Sequence, residues 1–251
     1  MMTRPIKYVK KSIPSVFTMF NMLSGCAAIL LSFHDIALAG IMILVAGVFD
    51  FIDGLVARLL NAYSDIGKEL DSLADMVSFG VAPSFIIFQL LRMSLITENP
   101  FFSIDQLTGT ELIILSAAFI PAVFVAIRLA RFNLEGAKDD IFSGLPSPAA
   151  GIFFASAGYI FYTTDTVWVQ NLLLSTNFLI AIIIVLSLLM IVPLPMLAIK
   201  FKDYRIAGNV IRYIFIVPSA IAIIIAGISA IPAIIIYYIL LSFIAGRLSA
   251  L

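Results

Sequence analysis

Cysteine is almost absent from this chain, and charge is scarce. One cysteine, Cys26, stands among 251 residues, so no disulfide can form within the chain. It lies in an apolar run, where a small buried side chain is expected. Only 12% of the residues are charged, against about 25% in soluble domains. Hydrophobic residues make up 62%, and the mean hydropathy is +1.13. Those values exclude an ordinary soluble globule and point to a polytopic membrane protein. The 15 basic and 15 acidic residues cancel, so no bulk attraction to nucleic acid arises and no such partner is expected. No internal repeat, low-complexity tract or soluble domain interrupts the pattern.

What the chain has instead is apolar runs. Residues 1–12 carry Arg4, Lys7, Lys10 and Lys11 among Ile6, Tyr8 and Val9, which reads as an amphipathic segment lying on an anionic membrane surface. Eight runs follow, at about 14–33, 36–58, 68–91, 111–131, 144–162, 176–199, 211–228 and 231–246. Each is close to the ~20 residues that cross a bilayer core. The expected fold is therefore an all-α membrane bundle of about eight spans. Pro14 marks a helix start, and Pro83 is expected to kink the third span. The first run passes Leu23-Ser24-Gly25-Cys26, which is similar to a lipoprotein processing site, but it continues apolar through Leu31, so cleavage is not expected. Lys and Arg gather at the N-terminus and in or beside every second break, with Arg92 the exception. Both termini and the loop between the second and third runs are thus expected on the cytoplasmic side. Trp168 and Tyr162 read as interfacial aromatics, and His34 as an exposed loop residue. No helix shows a clear small-residue seam.

Chemistry concentrates between Asp50 and Asp75. Asp50 and Asp53 sit at i, i+3, and Asp71 and Asp75 at i, i+4, so each pair shares a helix face. Turn-prone Asn61, Ser64, Asp65 and Gly67 lie between the pairs, which predicts an antiparallel helix hairpin with its acids facing each other. Four converging carboxylates repel unless cations sit among them, and all-oxygen ligands suit Mg²⁺ or Mn²⁺. A two-metal cluster is the arrangement that clamps a phosphoryl group in displacement chemistry. Gly54 permits close approach to the backbone. Ala57, one turn on, leaves room for a flat group such as a nucleobase. Arg58 is a forked donor suited to phosphate.

The full pattern, D-x2-D-G-x2-A-R-x8-G-x3-D-x3-D, is met by Asp50, Asp53, Gly54, Ala57, Arg58, Gly67, Asp71 and Asp75. It resembles the signature of the CDP-alcohol phosphatidyltransferase family. Residues 71–83, 128–133 and 144–150 resemble the bacterial integral-membrane phosphatidylserine synthases within it. Pro14, Thr18, Asn21 and Gly25 are similar too, with Ser15 where Asn is the family's residue.

The resemblance implies a transfer reaction. A CDP-linked lipid, CDP-diacylglycerol, is held through its diphosphate by two divalent cations, Mg²⁺ or Mn²⁺, while the hydroxyl of L-serine attacks the lipid-side phosphorus and CMP leaves. It assigns Asp50, Asp53, Asp71 and Asp75 as metal ligands, with Asp75 also the general base. Gly54, Ala57, Arg58, Gly67, Thr18 and Asn21 fall on the nucleotide and phosphate side. Arg128 and Arg131, at i, i+3 near one end of the fourth run, are candidates for the serine carboxylate or a lipid phosphate, alongside Asn133, Ser147 and Ser78. Ser78 reads equally as a helix-packing hydroxyl. The resemblance further implies a catalytic membrane domain over 13–200 with a six-helix core, a two-helix extension over 201–251, a homodimer, and a place in the bacterial inner membrane. Another acceptor, glycerol 3-phosphate or inositol, is the nearest alternative. A divalent-cation transporter is the remote one, since intramembrane acids also mark ion paths. It predicts acids near mid-bilayer on broken helices and gives Gly54, Ala57 and Arg58 no part.

Overall fold

A computed structural model describes residues 4–98, 107–135, 142–197 and 206–248, with only the backbone described for 4–11, 98, 135, 142–143, 206–208 and 247–248. The first helix, α1 (Arg4–Leu31), runs unbroken through Pro14 and past Cys26. The side chains of the expected amphipathic segment thus lie outside the described residues. Cys26 is exposed on the outer face of α1 rather than buried. Asp35 caps α2 (Ile36–Leu60), accepting a 2.9 Å hydrogen bond from the Leu38 amide. The helix stops at Asn61, whose φ of 47° is left-handed, a conformation Asn tolerates. After two more residues Ser64 caps α3 (Asp65–Asp75) by accepting from the Gly67 amide at 3.0 Å.

The third span continues as a π-helical turn, Met76–Val81, and then α4 (Ala82–Glu98). Pro83 perturbs this span in a different form from the expected kink. Proline has no amide hydrogen, and its ring crowds the carbonyl four residues back. The ladder widens just ahead of it, where the Ala82 amide donates to the Val77 carbonyl, five residues back. The fourth span is split into α5 (Gly109–Ala117) and α6 (Ile120–Glu135), and α5 opens on a Thr108–Glu111 capping box.

Next come β1 (Phe142–Ser143), α7 (Ser147–Thr163), α8 (Val167–Leu173), α9 (Thr176–Ile191) and β2 (Pro195–Met196). The two strands pair antiparallel, Phe142 opposite Met196. α9 ends at Ile191, well before 199, because Pro193 and Pro195 cannot extend it. The chain closes with α10 (Ile206–Ala226), a 3₁₀ turn at Gly227–Ala230 and α11 (Ile231–Leu248).

Among the described residues, five helical stretches are long and apolar enough to cross a membrane, and six if α8 and α9, bent by 65°, count as one. The protein is an integral membrane protein. The difference from eight has two causes. α7 has 17 residues, about 25 Å of helix, short of a bilayer core of about 30 Å. The last two runs form one stretch, Asn209–Gly246. That stretch nonetheless doubles back at Gly227, where φ is +57°. The Tyr237 hydroxyl donates to the Ile214 carbonyl at 2.8 Å, although 23 residues of straight helix would separate them by about 34 Å.

α7 is the buried centre, packed on α2, α4, the π-turn and α11. It carries the small-residue seam that the sequence reading missed: Gly151, Ala155 and Gly158. A Cβ on Gly151 would stand 2.8 Å from the Phe79 Cα, and one on Gly40 of α2 would stand 2.5 Å from the Ala155 carbonyl oxygen. Close backbone approach is how membrane helices gain packing, and here it is used within the chain.

Candidate active site

The site is assembled on α1. Thr18 and Asn21 lie three residues apart on one face, and each meets an acid from a different helix. The Thr18 hydroxyl donates to Asp53 Oδ2 at 2.7 Å. The Asn21 side-chain amide donates to Asp75 Oδ1 at 3.2 Å. All four residues are buried. α2 and α3 barely touch along their lengths, and α1 takes most of the packing from each. The expected hairpin is therefore an open one. Its acids converge while its backbones are held apart, which leaves space at the carboxylates for a ligand.

Carboxylate oxygens of Asp50, Asp53 and Asp71 lie within 4.8 Å of one another. Ionised at that spacing, each pair repels by roughly 3.5 kcal/mol at an effective dielectric of 20. Asp71 Oδ1 is buried with no hydrogen-bond partner, so the protein itself does not relieve the charge. Three converging carboxylates, one of them with an orphaned oxygen, fit a hard divalent cation. Asp75 stands beside Asp50, outside that trio. A Cβ on Gly54 would meet only the Arg58 guanidinium, at 3.8 Å, so the face next to the acids is open. Gly67 sits in the first turn of α3 against Ser64 and Ser15. Beside it lies a cavity of about 720 Å³ lined by Ser12, Ser15, Tyr63, Ser64, Asp65 and Lys68.

The acceptor candidates separate. Arg128 of α6 is half-buried and faces Asp75. Its Nη1 donates to Ser147 Oγ at 3.1 Å, at the start of α7, while its Nε is buried without a partner. Arg131, one turn on, is exposed. Ser78 spends its hydroxyl on the Asn21 carbonyl at 2.9 Å, which is the packing role. Asn133 ties α6 to α3: its side-chain amide donates to Ser72 Oγ at 3.0 Å and Glu69 Oε2 at 3.4 Å, and its carbonyl accepts from Lys68 Nζ at 3.2 Å. Glu69 and Ser72 escaped the sequence reading because nothing in a linear pattern names a partner some sixty residues away. Their only signal was their i, i+3 spacing, which puts the two on one face of α3.

Fold and site together define an integral membrane protein with a carboxylate centre suited to a divalent cation. The chain belongs to the CDP-alcohol phosphatidyltransferase family, whose model matches residues 11–189. It is 38% identical over 141 residues to the CDP-diacylglycerol–serine O-phosphatidyltransferase of Bacillus subtilis, covering 56% of this chain and 71% of that one. The protein of the same name from Helicobacter pylori is 37% identical over 142 residues, 55% of this chain and 54% of its own. Archaetidylserine synthase of Methanothermobacter thermautotrophicus is 35% identical over 156 residues, 61% and 58%. The chain thus spans little more than half the length of the latter two relatives.

Proposed function

We propose that this protein transfers the phosphatidyl group of CDP-diacylglycerol to the hydroxyl of L-serine, yielding phosphatidylserine and CMP. The observation that carries the reading is the convergence of Asp50, Asp53 and Asp71 on one point at the open face beside Gly54. The names of the relatives, CDP-diacylglycerol–serine O-phosphatidyltransferase and archaetidylserine synthase, support the acceptor. Asp50, Asp53, Asp71 and Asp75 would hold two divalent cations, Mg²⁺ or Mn²⁺, whose positive charge would stabilise the phosphate of the departing CMP.

The remaining work falls to the chain. Thr18 fixes the orientation of Asp53, and Asn21 that of Asp75, so the acids are placed before substrate arrives. Arg58 donates to phosphate. Gly54 and Ala57 border the cytidine, and Gly67 keeps the start of α3 close to it. The Arg128 guanidinium, with Ser147, takes the serine carboxylate. Asp75 accepts the serine hydroxyl proton as the new oxygen–phosphorus bond forms and the bond to CMP breaks, late enough that an ordinary carboxylate is a sufficient base.

The nucleotide and serine are water-soluble, so the acid site and both termini face the cytoplasm, in the inner membrane of a bacterium. Arg58, Lys68 and Arg131 at the acid end agree with that orientation. Two copies pair, as the family likeness implies. The catalytic domain spans 13–200, and 201–251 is an appended helix pair.

The deciding experiment is CMP release by purified protein given CDP-diacylglycerol, with and without serine, under EDTA, Mg²⁺ or Mn²⁺. Release is expected only with serine and a cation. Release with glycerol 3-phosphate or inositol in place of serine overturns the acceptor, and cation uptake into vesicles without CMP overturns the reaction.

A further inference from the structure

The helix pair α10–α11 lies beyond the residues the family model matches, yet hydrogen bonds and short main-chain links join it to Arg128. Tyr238 of α11 is buried, and its hydroxyl donates to the Leu197 carbonyl at 3.1 Å. One turn along the same helix, Ser242 Oγ accepts from the Leu197 amide at 3.1 Å. Both main-chain groups of Leu197 are therefore gripped by α11. Leu197 follows directly on β2, which pairs with β1. The next residues are fixed in turn, Gly144 donating to the Leu194 carbonyl at 2.9 Å and Leu145 to the Leu189 carbonyl at 2.8 Å. α11 is also pressed against β2, since a Cβ on Gly246 would stand 2.6 Å from the Pro195 ring. Three residues after Gly144 comes Ser147, the hydrogen-bond partner of Arg128. Tyr238 itself lies close enough to Arg128 for the two to interact electrostatically.

We propose that α11 braces the acceptor site: Tyr238 and Ser242 fix Leu197 and the two-stranded ribbon, and through them the Ser147 hydroxyl that aims the Arg128 guanidinium at the serine carboxylate. The Nε of Arg128 is buried without a hydrogen-bond partner, so that donor is not spent within the protein. This rests on the reading of Arg128 as the anchor for serine. Tyr238 and Ser242 are positioning residues and touch no substrate.

The test uses the full-length protein in lipid nanodiscs, with CMP release followed while serine and CDP-diacylglycerol are varied separately. Tyr238→Phe and Ser242→Ala each delete one hydroxyl and leave the packing intact. Each is expected to raise the KM for serine about three- to tenfold, the scale of one lost hydrogen bond, with kcat and the KM for CDP-diacylglycerol within about twofold of wild type. Ser242→Thr, which keeps a hydroxyl, is expected to restore the serine KM. An unchanged serine KM, or both KM values rising together, overturns the brace, and so does a loss confined to thermal stability. A wild-type protein that releases no CMP in response to serine sinks the function reading instead and takes the brace with it.

Discussion

Two residues of α1 do for the acids what a metal site needs from its surroundings. Thr18 and Asn21 each hold one carboxylate by a hydrogen bond, and outer partners of this kind commonly account for 10- to 100-fold in metal affinity or activity. Thr18→Val is therefore expected to lower activity by about that factor and to raise the Mg²⁺ concentration needed for half-maximal rate; an unchanged Mg²⁺ requirement would remove Thr18 from the metal site. Asp75→Asn keeps the Asn21 hydrogen bond but loses the proton acceptor, so kcat is expected to fall roughly 10²- to 10⁴-fold, while equilibrium binding of the CDP-lipid persists. Near-normal turnover would reassign the base. The two arginines of α6 are expected to part company. Arg128→Ala raises the serine KM more than the CDP-lipid KM, and exposed Arg131→Ala changes the serine KM by less than Arg128→Ala does. Equal effects would contradict the inward placement of Arg128.

At the level of elements, α3 is the piece that must be held still, because it carries Asp71 and Asp75 yet packs little against α2. Asn133 fastens it to α6 through Ser72, Glu69 and Lys68, and Lys68 lies over the Phe132 ring at 5.8 Å. Asn133→Ala is expected to lower stability by about 1–2 kcal/mol and to loosen cation binding, read as a lower melting temperature that added Mg²⁺ partly restores. A variant with wild-type melting in both conditions would show that the tie is idle. This contact marks where sequence reading stops. The acid spacing, the Asn61–Ser64 turn and most span boundaries followed from period, caps and apolar length, all local properties. Asn133 as a strap, the inward turn of Arg128 and the α7 seam depend on which helices meet, and no window of sequence carries that. Pro83 was expected to kink its span, and the disturbance takes the form of a π-turn just ahead of it.

Taken whole, the molecule places its polar chemistry at one end of an apolar bundle. An unpaired acid is costly deeper in the bilayer, about 2.5–3.5 kcal/mol on insertion scales, so the edge is where such a cluster persists. Sidedness can be checked directly. With the exposed native thiol removed by Cys26→Ser, Ile66→Cys, which is 82% exposed at the start of α3, is expected to react with a membrane-impermeant maleimide in inside-out vesicles alone. Labelling of right-side-out vesicles would reverse the orientation.

The order in which α1, α2, α3, α6 and α11 leave the ribosome gives the open hairpin a further meaning. The acid cradle is complete in the first three spans, its guanidinium arrives with the fourth, and the clasp on the ribbon comes last of all. With the roles proposed above, the part of the chain made first carries the acids and the part made later carries the groups that would choose the acceptor. Selectivity, so assigned, would be the last thing to be built.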